Sequence, residues 1–228
     1  MSDRLPSAEI AVSTSRFWSR SIALYSRWLI RRRFHAVWTR ESYQPTSKRS
    51  TLYFLNHSRW WDGLIPLLLN EFKFHQQARA MMDREQWDQY PFFRHLGAFP
   101  VDLDQPRRAV PSLRYASDWL ASPGHSLFLY PEGKFYPAHL RERTFQPGLE
   151  WLSRQHESMD LVPIGIVTQH YRASRPELFL KVGPRVEPGS NLEFALKRSL
   201  DELDRLSHTE NRDELQSTFN CWIGRSRS

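Results

Sequence analysis

Two residues suited to moving a proton, His57 and Asp62, stand four residues apart in the run Asn56-His57-Ser58-Arg59-Trp60-Trp61-Asp62. An imidazole with a carboxylate partner works as a general base near neutral pH, because the carboxylate fixes the tautomer and offsets the positive charge that forms. Spacing alone is a weak signal. The 9 His and 11 Asp of the chain give roughly 0.4 chance pairs at this separation, and His208 with Asp213 forms a second one in a polar tail. His57 differs because it directly follows an apolar, β-rich run, Thr51 to Leu55 (TLYFL), where a turn into the next helix could hold the ring in a cleft. A second polar turn, Pro131-Glu132-Gly133-Lys134, follows the apolar run Ser126 to Tyr130. Its glycine permits positive φ or close backbone approach, and its Glu and Lys offer an acceptor and a donor. Gly97 to Asp102 (GAFPVD) and Val162 to Ile166 (VPIGI) complete the set of unusual blocks.

The elements that must position these blocks read as short strands alternating with helices. Strand candidates are Thr51 to Leu55, Ala78 to Met82, Ala98 to Val101, Ser126 to Tyr130, Leu161 to Val167 and Glu177 to Val182. Helical patterns fall at Gly63 to Leu69, Ala109 to Leu120, Gly148 to Gln155, Leu192 to Leu206 and Glu214 to Trp222. This alternation predicts an α/β fold: a single layered domain with a mostly parallel central sheet flanked by helices, preceded by a basic amphipathic N-terminal helix. Ligands in such folds gather at the carboxyl ends of the strands, where His57 and the Glu132 turn are expected.

At 228 residues and 40% hydrophobic composition the chain suits one domain with a sizeable core. Cys221 is the only cysteine, which excludes an internal disulfide and a Cys-rich zinc site; it reads as a small buried hydrophobe in the last helix. The net charge of +7 is localised. Residues 1–49 carry ten Arg/Lys against three Asp/Glu, and the remainder carries 22 of each. A local anionic partner fits this better than nucleic acid. Arg16 to Trp38 reads as a helix with Trp18, Ile22, Tyr25 and Leu29 on one stripe and Arg16, Arg20, Arg27 and Arg31 on another. Such a helix suits a membrane interface, although docking of its aromatic face on the domain's own core is the plain alternative. Arginines interrupt every apolar stretch, so no spanning helix and no secretory signal is expected. The expected organisation is a basic membrane-surface segment over 1–49 and the α/β domain over 50–228, cytoplasmic and peripheral at the inner face of the membrane.

In order and separation, these blocks resemble the lysophospholipid acyltransferase family, which includes glycerol-phosphate and acylglycerol-phosphate acyltransferases. Asn56, His57 and Asp62 match its N-H-x-x-x-x-D block. Tyr130 to Lys134 match its aromatic-P-E-G block, Phe145 to Gly148 its F-x-x-G, and Pro163 the proline of its last block. The resemblance covers about Thr51 to Val167 and implies transfer of an acyl group from acyl-CoA or acyl carrier protein to a lipid hydroxyl, with the lysophosphatidic-acid type of acceptor foremost. His57 would be the base and Asp62 its orienting partner. Glu132, Gly133 and Lys134 would position the acceptor, with Arg107 and Arg108 for its phosphate. Arg59, Trp60 and Trp61 would serve the thioester or the acyl chain. No cofactor and no metal is implied.

Two departures matter. The family commonly has arginine where this chain has Leu103 and Phe135, and those arginines hold the acceptor's phosphate. Either Arg107, Arg108, Arg141 or Arg143 replaces them, or the acceptor is a glycosylated or amino-acid-derived lipid without phosphate at that place. A peripheral membrane-binding protein without turnover and a thioesterase are further alternatives.

Overall fold

The computed structural model describes Val12, residues 14–137 and residues 143–224. It opens with helix α1 (Arg16–Arg33) and strand β1 (Ala36–Glu41). There follow β2 (Thr51–Leu55), a 3-10 turn (Trp60–Leu64), α2 (Ile65–Leu69), a π turn (Asn70–Phe74) and β3 (Gln77–Asp83). Next come α3 (Arg84–Gln89), a 3-10 turn (Pro91–Leu96), β4 (Ala98–Val101), α4 (Pro106–Leu120) and β5 (His125–Leu129). The chain ends with α5 (Pro147–Ser153), β6 (Asp160–Gln169), β7 (Glu177–Val182), α6 (Leu192–Leu206), α7 (Arg212–Thr218) and β8 (Asn220–Gly224).

The strands form one eight-stranded sheet in the order β4-β3-β5-β2-β6-β7-β1-β8. All neighbours pair parallel except β6 with β7 and β1 with β8. β2 lies between β5 and β6, and every residue of its TLYFL is buried. The strand's period of two divides it between the faces. Tyr53 and Leu55 join Ile30, Ile65 and Leu68 on one side, while Leu52 and Phe54 join Leu120, Leu149 and Leu196 on the other. A sheet covered on both faces needs such unbroken apolar strands, which is why TLYFL shows no polar alternation.

Three expectations need correction. The helix expected over Arg16 to Trp38 stops at Arg33, and Phe34 is already extended. Ala36, Val37 and Trp38 instead enter the sheet, because pairing with β7 and β8 satisfies their backbone while their side chains are buried. That strand also carries the segment expected as a separate unit before residue 50 into the sheet itself. Finally, the helix expected over Glu214 to Trp222 ends at Thr218, so Cys221 sits half-buried in edge strand β8, where burial pushes its thiol up.

The orientation of α1 also differs from a core-docked aromatic face. Its buried residues are Ser19, Ala23, Ser26 and Ile30, at helical steps of 4, 3 and 4. Phe17, Trp18, Leu24, Tyr25 and Trp28 are between 48% and 75% exposed. Small side chains let the helix approach α2 closely, and the large ones face outward.

Glu177 clamps the β1 half of the sheet. Its buried carboxylate accepts the Trp38 Nε1–H at 2.6 Å and both ends of the Arg212 guanidinium fork. Glu177→Ala leaves a partly buried guanidinium and an indole N–H without their acceptor. Urea unfolding is expected to show a loss of about 3–5 kcal/mol, and a loss under about 1 kcal/mol would mean that the clamp is dispensable.

Candidate active site

β2 leaves the sheet after Leu55, which would strand the backbone of Ile166 on neighbouring β6. Asn56 replaces the missing strand. Its Oδ1 accepts the Ile166 N–H at 2.7 Å and its Nδ2 donates to the Ile166 carbonyl at 2.9 Å. A primary amide has the acceptor and donor needed to imitate a peptide group, so asparagine satisfies both buried backbone groups.

His57 comes next and is fixed through its backbone and both ring faces. Its N–H donates to Glu132 Oε2 at 2.7 Å, and its carbonyl accepts the Tyr136 N–H at 2.8 Å. The imidazole lies between Tyr130 and Phe135, each with its ring centroid 4.2 Å away. Nδ1 is buried, has no hydrogen-bond partner, and points at Asp62 Oδ2 from 3.6 Å, just beyond bonding distance. Asp62 is itself locked in place. Its Oδ2 accepts the Ser58 and Arg59 N–H groups at 2.7 and 2.8 Å, and its carbonyl accepts the Tyr130 hydroxyl at 2.6 Å. The four-residue spacing thus has a local cause: Asp62 is the third residue of the 3-10 turn that Arg59 caps, and its carboxylate reaches back to the Ser58 and Arg59 N–H groups at the turn's entry, beside the imidazole.

Glu132 is fully buried. Besides the His57 N–H it accepts the guanidinium of Arg143, itself 8% exposed. Burial pushes the Glu132 carboxyl up, while Arg143 and the His57 N–H pull it back. Burial, with Asp62 and Glu132 nearby, also pushes the Tyr130 phenol well up, so it stays a neutral donor. Gly133 has φ +69°, and a Cβ there would lie 3.2 Å from Leu103 and from Gln146. The left-handed backbone conformation favours glycine, and a side chain there would also press on Leu103 and Gln146.

A cavity of about 990 Å³ opens on His57. Gly63, Pro66, Ala80, Met82 and Leu103 line it, with Gly133 at the turn. Asp62 and Glu132 stand behind the wall and support His57, so Glu132 does not face an acceptor as expected. Lys134 is exposed over the Tyr136 ring. Arg107 and Arg108 are exposed on α4 outside the cavity lining, with Arg108 4.0 Å from Asp102. Arg59 is exposed, Trp60 is 45% exposed, and Trp61 packs on Phe34 beneath Arg33; none of the three lines the cavity. Arg141 lies outside the described residues. Of the residues expected at a membrane surface, Trp18, Arg20 and Arg31 are exposed and Arg27 is half-buried. Arg20 and Arg27 lie on the Phe72 ring, and Arg27 also donates to the Trp222 carbonyl. His208 and Asp213 are both exposed, away from the cavity. Among the described residues, no three His, Cys, Asp or Glu side chains gather as a metal ion would need. Sequence reasoning missed Arg143 as the partner of Glu132 and Phe135 as a wall of the imidazole slot, because both contacts are made across a loop.

The profile of the acyltransferase family matches residues 35–167, more than half of the chain. The solved structure of PlsC, the 1-acyl-sn-glycerophosphate (LPA) acyltransferase of Thermotoga maritima, superposes with a TM-score of 0.54 over 84% of this chain and 81% of that one, at 16% identity. The similarity covers the α/β layering and the mostly parallel sheet. No curated protein sequence matches the chain at a significant level.

The buried Glu132–Arg143 pair makes a testable demand on stability. Arg143→Met leaves an uncompensated buried carboxylate and is expected to cost about 3–5 kcal/mol in denaturant unfolding. Adding Glu132→Gln removes that charge, so the double variant should recover more than half of the loss. Strictly additive losses would show that the two side chains do not depend on each other.

Proposed function

The chain belongs to the acyltransferase family, and from that membership we propose that it moves an acyl group from a thioester, on coenzyme A or an acyl carrier protein, to a hydroxyl of a membrane lipid. The observation that carries this reading is His57 on the cavity wall with its buried Nδ1 turned towards the Asp62 carboxylate. With the proton on Nδ1, where it faces Asp62, the ring keeps the Nε2 lone pair for substrate. The acceptor hydroxyl gives its proton to Nε2 as its oxygen attacks the thioester carbonyl. The C–O bond forms, the tetrahedral intermediate collapses with loss of the C–S bond, and the imidazolium returns the proton to the leaving thiolate. Asp62 stabilises the transient positive charge. It is held by two backbone N–H groups and needs only a small closure to reach Nδ1, as hydrogen bonds loose in a free enzyme tighten around substrate.

The acceptor reaches this site from a bilayer, and α1 supports that route. Its inner side, with Arg16, Ser19 and Arg20, lines the cavity. Its outer side exposes Phe17, Leu24, Tyr25 and Trp28 together with Arg31 and Arg32. Aromatic rings among acyl chains and guanidinium groups at phosphates are what an interfacial helix offers. Among the described residues no helix is long and apolar enough to cross a membrane; the exposed rings and guanidinium groups of α1 are the basis for proposing contact at one surface, the inner face.

With long-chain acyl-CoA and lipid alcohols, His57→Ala is expected to lower transfer by about 10²–10⁴-fold while leaving vesicle binding intact; undiminished transfer would remove His57 from the mechanism. Conversely, replacing Phe17, Leu24 and Trp28 together by serine should weaken binding to anionic vesicles at least about tenfold without lowering the melting temperature, since these side chains are exposed. If vesicle binding is unchanged, this helix face is not the membrane contact.

A further inference from the structure

On the acyl-transfer reading, we propose that the acceptor presents hydrogen-bond donors, hydroxyl or ammonium groups, and no phosphate to the cavity wall, and that Asp83 and Asp102 receive them. Asp83 is the last residue of β3 and pairs in register with Val101, the last of β4, so Asp102 follows beside it. Both residues line the cavity on which His57 opens; Asp102 already accepts the Gln105 N–H at 3.1 Å and lies 4.0 Å from the Arg108 guanidinium, which leaves lone pairs on both carboxylates for a ligand. They thus stand at adjacent strand ends, the usual ligand position of an α/β sheet. A carboxylate offers only lone pairs, so its partner must donate.

The surrounding charge argues against an anion. Burial pushes the Asp83 carboxyl up, the Arg84 backbone N–H pulls it part of the way back, and the nearby carboxylates of Glu85, Asp104 and Asp102 add to the rise. A phosphate brought beside it would meet the same repulsion. The side chains that stand against Gly133 and on the His57 ring are apolar. Leu103 packs against Gly133, and Phe135 lies on the His57 ring. Arg143 is buried on Glu132, and Arg107 and Arg108 are outside the lining. Of the guanidinium groups that do line the cavity, Arg79 lies on the Trp119 ring and donates to the Tyr115 hydroxyl, while Arg20 lies on Phe72. Among the described residues Arg16, exposed on the first turn of α1, is the remaining one.

The full chain, with palmitoyl-CoA and neutral vesicles, is to be offered three acceptors separately: a long-chain alkyl glucoside, a long-chain amino alcohol and lysophosphatidic acid. Transfer to the glucoside or the amino alcohol with a kcat/KM at least about tenfold above that for lysophosphatidic acid is expected, and the better of the two identifies the donor group as hydroxyl or ammonium. Preference for lysophosphatidic acid overturns the proposal and leaves the acyl-transfer reading standing. Thioester turnover with none of the three, and none with any other lipid alcohol, overturns both. Asp83→Asn and Asp102→Asn keep the side-chain shape, and the Asp102 variant keeps the acceptor for the Gln105 N–H. Each should raise KM for the preferred acceptor about tenfold with kcat nearly unchanged. Unchanged KM in both variants, with unaltered melting, overturns the assignment of these carboxylates. Leu103→Arg should shift selectivity towards lysophosphatidic acid; a selectivity for that lipid in the unaltered protein that disappears in Arg16→Ala would instead place a phosphate at α1 and overturn the proposal.

Discussion

A carboxylate with no solvent exposure must be neutralised or bound on every side, and Glu132 meets that requirement by tying three pieces of chain together. One oxygen holds the backbone N–H of His57 at the end of β2, and the other holds Arg143 from beyond the loop that follows β5. The cost of burying the charge forces these segments to converge, because a missing partner would leave several kcal/mol uncompensated. The rest of the site follows from that convergence. Tyr136 reaches the His57 carbonyl, and Tyr130 and Phe135 close on the two faces of the imidazole. Asp62 then has one side of the ring left to approach. The ring is therefore oriented mainly by its backbone anchor and by aromatic walls, with the carboxylate poised beside it.

The second constraint acts at α1, where the usual distribution of apolar side chains is inverted. A helix that serves only the core of a soluble domain buries its large side chains and leaves small or polar ones outside. Here the buried stripe is serine, alanine and one isoleucine, and the exposed stripe holds Phe17, Leu24, Tyr25 and Trp28. In water that arrangement forgoes the burial of several rings, each worth about 1.5–3 kcal/mol. The membrane contact proposed for this helix would recover it. Since the same helix lines the cavity through Arg16, Ser19 and Arg20, one element connects the surface from which a lipid would come with the place where it would react.

Much of this organisation is legible in the sequence wherever a physical rule acts over a few residues. TLYFL declares a strand buried on both faces, the leucine spacing of Leu192 to Leu206 declares a core-facing helix, and the His57–Asp62 spacing announces an imidazole beside a carboxylate at a strand end. The structure finds all three. The alternation of strands and helices likewise suffices for a layered, mostly parallel sheet. These features depend on side-chain period and on turns between neighbours, which a linear chain records directly.

What the sequence could not declare depends on residues far apart in the chain. Phe34 to Trp38 continues a helical pattern, and only the edge of β7, some 140 residues later, makes a strand the better use of it. Lys134, Arg107 and Arg108 flank the right blocks, yet they stand exposed outside the cavity lining, Lys134 over Tyr136 and Arg108 beside Asp102, whereas Arg143 is drawn inward by a buried carboxylate. Which face of α1 meets the protein was equally undetermined, since both a bilayer and a core accept aromatic rings. The sequence by itself determined the fold class and the placing of His57 and Asp62 together at a strand end, because local period and spacing encode them. Tertiary structure decided which charges are buried and which face the cavity, because desolvation and pairing are properties of neighbours brought together only by folding.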